Sequence, residues 1–227
     1  MDQPQQLEES FKYQTWRNHV EQNQIKINDV NELHVERADK DGSVLYALLN
    51  VDADTPEGTK LNPICFLKGD AVSMLVVLID EQTSDKYVLL VKQRRICDGS
   101  ELYEHPAGMI DEDDDSPAEV AARELGEEAQ LDVKPDELKP LFDKPFFSST
   151  ATTDEALHLF YLERWMPLAD IRAMDGRKTG AEGENEQTQL HIATLPEAHR
   201  LIRNMHGIMS HLQYLKRIGD YEMLEQL

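Results

Sequence analysis

The 227-residue sequence predicts an α+β protein: a layered α/β/α domain with a mixed sheet, preceded by a helix and a β-hairpin. Three observations carry this. The runs AVSMLVVLID (71–80) and KYVLLVKQRRI (86–96) are apolar and of strand length, as strands covered on both faces are. Further strand-like segments alternate with few, well-separated helical stretches. Residues 52–63, DADTPEGTKLNP, are dense in turn formers and set a small element at 1–60 apart from a larger domain at 61–227.

Taken in order, residues 5–22 space Leu7, Phe11 and Val20 at helical intervals, with Trp16 off that stripe, and predict a short helix. LHVERADKDGSVLYALLNVDA then gives two strands joined at DKDGS, where Asp-Gly signals a hairpin. Residues 1–60 contain few core residues and are expected to pack on something else, a second subunit being the natural choice. The two apolar runs follow, joined by the polar turn EQTSD. ELYEHPAGMI reads as a short extended piece and leads through an acidic loop, 111–115, into a helix at about 117–129. EALHLFYLERW (155–165) is a further strand, and ENEQTQLHIATL leads into another. From Pro196 the chain reads as helical to its end, with a break expected near Gly207.

Composition narrows the function. With 40% hydrophobic residues the chain can bury a sizeable core. A formal net charge of −21 disfavours nucleic acid and anionic membrane as partners. A phosphorylated substrate stays open, because a bound divalent cation reverses the sign locally. No apolar run approaches the roughly 18 residues of a membrane span, and MDQPQQLEES lacks the basic and apolar regions of a secretory signal. Cys65 and Cys97 are isolated, so a reduced, cytoplasmic protein is expected.

The 117–129 helix carries the chemistry. Ser116 at the N-cap, Pro117 at the first helical position and Glu119 two residues on form a capping box. Val120, Ala121 and Leu125 supply its apolar contacts. Glu124, Glu127 and Glu128 stand at i, i+3 and i+4, on one face, with Cβ atoms roughly 5–6 Å apart. Their repulsion costs a few tenths of a kcal/mol per pair, which Arg123 offsets in part through an i,i+4 pair with Glu127. A solvated acidic face is one reading. A site for Mg²⁺ or Mn²⁺ is the other, since hard cations take carboxylate oxygens and share substrate phosphates. Zinc is disfavoured, because no Cys/His cluster has its spacing.

The segment PAGMID…SPAEVAARELGEE, placed after two apolar strands, resembles the Nudix box, Gly-x5-Glu-x7-Arg-Glu-U-x-Glu-Glu-x-Gly-U, where U is apolar. RELGEE matches the core of that pattern and Gly108 its first glycine. Two departures stand out. Gly108 lies one residue further from Arg123 than in the pattern, so that Asp114 or Asp115 falls nearest the early glutamate. Gln130 replaces the closing glycine, at a helix end where positive φ would cost it roughly 1 kcal/mol. The run Glu104-His105-Pro106-Ala107-Gly108-Met109 further resembles the nucleoside diphosphate sugar branch, which includes ADP-ribose and ADP-glucose pyrophosphatases. The likeness extends over about 64–215.

That resemblance implies a Nudix α/β/α sandwich and Mg²⁺-dependent hydrolysis of a nucleoside diphosphate sugar. It makes Glu124 and Glu128 metal ligands, Glu127 a ligand or water-mediated partner, and the Ala107 carbonyl a backbone ligand. Arg123 would orient the glutamates. The general base would come from a late loop, GAEGENEQTQ (180–189), where Glu186 or Glu184 is favoured over Glu182 as base or extra metal ligand; Asp154 and Glu155 form a second possible pair. For substrate contacts the resemblance selects Arg95 over its neighbour Arg94 for phosphate, and Glu104 for the nucleoside or far ribose. It also implies a homodimer built through the N-terminal extension. Outside the motif, His105 is expected to face solvent, and His199, His206 and His211 to be structural or surface residues.

Overall fold

The computed structural model describes residues 5–38, 41–110, 116–179 and 188–227. Its elements run α1 (Phe11–Gln22), β1 (Lys26–Arg37), β2 (Val44–Asp54), β3 (Ile64–Leu67), β4 (Ala71–Asp80), β5 (Lys86–Arg94), β6 (Glu101–Glu104) and β7 (Ala107–Met109). There follow α2 (Pro117–Ala129), β8 (Lys139–Pro140), β9 (Phe146–Phe147), β10 (Ala156–Met166), α3 (Leu168–Met174), β11 (Lys178–Thr179), β12 (Thr188–Thr194), α4 (Leu195–Leu201), α5 (Met205–Ile218) and α6 (Tyr221–Gln226). No helix among the described residues is long and apolar enough to cross a membrane. The chain divides into two compact units. One comprises Met1–Ala71, Met109–Asp114 and Phe146–Leu157; the other comprises Val72–Gly108, Asp115–Pro145 and His158–Leu227.

In the first unit β1, β2 and β3 form an antiparallel sheet. The hairpin turn closes where Ala38 N–H donates to the Ser43 carbonyl, with Gly42 at φ 73 supplying the left-handed step. Alternate β2 residues, Ala47, Leu49, Val51 and Ala53, are buried together with Leu7, Tyr13, Trp16 and Leu67. This unit therefore has a core of its own, contrary to the shortage expected for the N-terminal residues. The α1 stripe also differs from expectation: Trp16 and Tyr13 are buried, whereas Phe11 is 42% exposed. Leu7 sits in a separate 3₁₀ turn, and Ser10 caps a new helix that begins at Phe11. The helical phase is reset at Ser10, so spacing counted from Leu7 selects the wrong face. The segment around β9 joins this unit: Phe66 N–H donates to Thr152 O at 2.7 Å, and β9 pairs with Ala156 and Leu157.

In the second unit the sheet runs β11-β12-β5-β4-β10-β8, with β6 on β5 and β7 on β4. Every β4 residue is buried, which requires cover on both faces. Glu124 of α2 meets the chain at Gly108, and His211 of α5 meets it at His105. Both α2 and α5 thus pack beside the strand shift at 105–108. The C-terminal helices part at Ile202–Asn204 and not at Gly207. Asn204 caps α5 by accepting the Gly207 N–H at 2.9 Å, and a Cβ on Gly207 would collide with that cap and with Ile202. The glycine thus serves the first turn of a helix, where the sequence alone reads it as a breaker. Helix α3 and the two-residue strands β8, β9 and β11 lack a periodic sequence signal of their own.

Candidate functional site

The second unit holds the residues singled out on the box helix and on the strand before it. Helix α2 begins at the predicted N-cap: Ser116 Oγ accepts from Glu119 N–H, and it donates to Glu119 Oε2 at 2.7 Å, so the Glu119 carboxylate turns to the cap hydroxyl. Val120, Ala121, Leu125 and Ala129 are fully buried and fix which way the helix turns its acids. The three carboxylates are graded by depth. Glu128 is 9% exposed, whereas the Glu124 and Glu127 side chains are 14% and 50% exposed. Arg123 lies between the outer two, its guanidinium 3.3 Å from Glu124 Oε1 and 3.9 Å from Glu127 Oε2. That position relieves their mutual repulsion on the exposed side.

The strand side explains two residues of the motif. Chain 101–104 pairs with β5, ending at Glu104 opposite Val91. It then shifts to β4, where Met74 N–H donates to Pro106 O at 2.9 Å. Just past that shift, Ala107 N–H donates to Glu128 Oε2 at 3.0 Å. At the next residue a Cβ would overlap the Cγ, Cδ and Oε1 atoms of Glu124, so only glycine lets that carboxylate lie against the strand. Glu124 and Glu128 thereby flank the Ala107–Gly108 backbone. The glycine's steric role was missed in the sequence, where Gly108 counted as a pattern match; its place opposite an i,i+4 acid pair was the available signal.

Arg95 and Glu104, picked separately for substrate, are brought together. Arg95 Nε donates to Glu104 Oε2 at 2.9 Å, and Gln93 Nε2 donates to the same oxygen at 3.2 Å. Arg94 turns instead to the Gly99 carbonyl, so of the two arginines only Arg95 joins Glu104. Glu182, Glu184 and Glu186 of the late loop, and Asp114 and Asp115 of the acidic loop, lie outside the described residues. The alternative base pair is engaged inside the first unit. Asp154 accepts from Lys68 N–H at 2.7 Å and from Gly69 N–H at 3.2 Å, while Glu155 pairs with the Lys68 ammonium. Burial raises the Asp154 carboxyl above its ordinary range, and those backbone donors oppose the rise.

The expectation for His105 is overturned. It is 2% exposed, and its Nε2 lies 3.0 Å from Nε2 of His211, which is fully buried. His211 Nδ1 in turn lies 3.4 Å from His199 Nδ1. His105 sits at the shift from β5 to β4, a position periodicity cannot identify as interior. Burial pushes His105 well below the ordinary imidazole range and His211 down to about 3, with neighbouring histidines adding to both shifts.

Among the described residues no three His, Cys, Asp or Glu side chains already converge closely enough to hold a metal ion. The donors beside the Ala107–Gly108 peptide are nonetheless all oxygen: two carboxylates and the peptide carbonyl. That set suits a hard divalent cation and not a soft one. The Gly108 gap, which lets Glu124 lie against the strand, agrees with such a group.

Comparison with known proteins points the same way. A model of the NUDIX domain matches residues 69–188. Nudix hydrolase 14, chloroplastic, of Arabidopsis thaliana is 28% identical over 180 residues, 76% of this chain. The chain spans about half the length of that relative, 55%. A crystal structure titled as an ADP compounds hydrolase superposes with a TM-score of 0.59 at 17% identity, covering 86% of this chain and 96% of its own. At that identity the likeness speaks for the fold. The domain match spans more than half of the chain and contains the strand shift, the Gly108 gap and the acid helix, and on these grounds the chain belongs to the Nudix family.

Proposed function

We propose that this protein hydrolyses the diphosphate bond of an ADP-sugar, ADP-ribose or ADP-glucose, to AMP and a sugar phosphate, with Mg²⁺ as cofactor and Mn²⁺ able to replace it. One observation carries the reading: Glu124 and Glu128 flank the Ala107–Gly108 backbone, one admitted by the missing Cβ and one held by the Ala107 N–H. Family membership supports hydrolysis of a phosphoanhydride. The ADP compounds hydrolase likeness and the Glu104–Met109 run favour an ADP-linked substrate.

In this reading Glu124, Glu128 and the Ala107 carbonyl hold the cation, with Glu127 joining directly or through water. When bound, the cation neutralises the two phosphates and lowers the pKa of an attacking water. Arg123, set against both carboxylates, orients Glu124 and Glu127. Arg95 presents its remaining donors to phosphate while Glu104 fixes its direction. Glu186 or Glu184 supplies the base. The assembly is a homodimer that covers Leu33, Ile64, Phe66 and Phe147, apolar side chains 37–58% exposed on the first unit.

The test is product analysis with ADP-ribose, ADP-glucose, UDP-glucose, GDP-mannose and a dinucleotide, each incubated with native protein and with Glu128→Gln in Mg²⁺, with nucleotide binding measured alongside. The reading expects AMP from the ADP-sugars and a loss of more than ~100-fold in the variant, beyond the cost of an outer-shell change. Preference for UDP-glucose, GDP-mannose or a dinucleotide would move the substrate. Absence of any turnover, with nucleotide still bound, would make the chain a non-catalytic nucleotide-binding module.

A further inference from the structure

The buried histidine chain touches the proposed site at one place. His105 occupies the single residue between Glu104, the last pair on β5, and Pro106, the first bond to β4. Pro106 has no N–H to anchor itself. Ala107, the next residue, gives its N–H to Glu128. The orientation of the Ala107 peptide therefore depends on how the two preceding residues are held. From the sheet side the Met74–Pro106 bond holds them, and from the helix side the His105 ring does.

That ring is held by hydrogen bonding as well as packing. His105 and His211 meet edge to face, with centroids 5.0 Å apart and Nε2 atoms at 3.0 Å. His105 Nδ1 is buried and has no hydrogen-bond partner among the described residues. A proton on Nδ1 would orphan a buried donor, whereas a proton on Nε2 donates to His211 and leaves only a lone pair unpartnered. The second arrangement gives the chain one direction: His105 Nε2–H to His211 Nε2, then His211 Nδ1–H toward His199 Nδ1. Apolar side chains would fill this space without an orphaned nitrogen. A directed bond is what imidazole adds. Burial depresses the His211 pKa to about 3 and so keeps the ring neutral and able to accept.

We propose that His211 is a positioning residue for the metal-binding peptide: its hydrogen bond to His105 fixes the strand shift that aims the Ala107 carbonyl between Glu124 and Glu128. This rests on the metal-dependent reading above, and the experiment separates the two. Mn²⁺ binding is measured by electron paramagnetic resonance on the full chain, without substrate, for native protein, His211→Phe and His211→Gln. Phenylalanine keeps a ring but removes both bonds, whereas glutamine can accept from His105 and donate toward His199. The expected result is a Mn²⁺ dissociation constant raised ~10–100-fold by phenylalanine and largely restored by glutamine. Native affinity in His211→Phe, or no recovery in His211→Gln, overturns the proposal.

A second measurement needs no variant and covers the case in which His211→Phe does not fold. In ¹⁵N-histidine-labelled native protein, His105 should carry its proton on Nε2, and Mg²⁺ should shift the His105 and His211 nitrogen signals. A proton on Nδ1, or signals indifferent to saturating Mg²⁺, overturns the assignment. Native protein that binds Mn²⁺ but turns over no nucleoside diphosphate compound defeats the hydrolytic reading alone.

Discussion

Replacing Gly108 with alanine should separate activity from stability. A Cβ at this position falls inside the contact radius of three Glu124 side-chain atoms. To regain an ordinary separation of about 3.5 Å, the carboxylate has to retreat by more than about 1 Å. The backbone is the stiffer partner, because β7 is paired to β4 and Ala107 is bonded to Glu128. Glu124 therefore yields, its Cγ moving with its carboxylate, at about 1 kcal/mol, the low end of overpacking costs. A misplacement of ~1 Å at a reacting centre is worth about 10²-fold, or roughly 2.7 kcal/mol of barrier. Gly126 is the control: it lies in the same motif, and a Cβ there meets nothing within 4 Å among the described residues. Steady-state hydrolysis of ADP-ribose in Mg²⁺, with thermal midpoints alongside, reads both quantities. Native kcat/KM in Gly108→Ala, or an equal loss in Gly126→Ala, would refute the reasoning.

Four further outcomes are expected. The His211 pKa lies near 3 in the fold, below the ~6.5 of an unfolded chain, so the unfolded state binds the extra proton. Its contribution is complete above about pH 6.5 and is lost as pH falls toward 3, at up to about 1.4 kcal/mol per pH unit. Urea titrations between pH 7 and 4 should show a steeper acid loss in native protein than in His211→Phe. Gln130 closes α2 at φ 54, and Gln130→Gly should raise stability by up to about 1 kcal/mol, a gain of roughly 2–4 °C in Tm. Gly207→Ala should cost about 0.5–2 kcal/mol by evicting the Asn204 cap, read as a lower urea midpoint. Arg95→Ala and Glu104→Ala should each raise KM. Because the two side chains share a bond, the double variant should lose less than the product of the single losses.

Much of this molecule was legible without coordinates, for identifiable reasons. Helix α2 spans Pro117–Ala129, as its capping box and apolar positions predict, because caps and 3.6-residue periodicity are local. Strands β4, β5 and β10 followed from apolar runs of strand length. The acid constellation on α2 is equally local, since residues three and four apart on a helix must share a face. Phase and side of approach were not local. The buried face of α1 was misread because Ser10 starts a new helix, and Gly207 was taken for a breaker because its cap, Asn204, acts through geometry. Gln130 takes the left-handed angle its position demands although it is not glycine.

The sequence by itself determined that three carboxylates share one face of one helix, within a motif that resembles the Nudix box. Only the tertiary structure decided what stands opposite that helix. Gly108 leaves room for Glu124, Ala107 N–H reaches Glu128, and His105 turns inward to His211. Those partners lie between 16 and 106 residues apart in the chain, a separation across which no periodic pattern carries information. Contact at that range is set by how strands and helices pack, and packing answers to the volume and burial of the whole core rather than to any one segment.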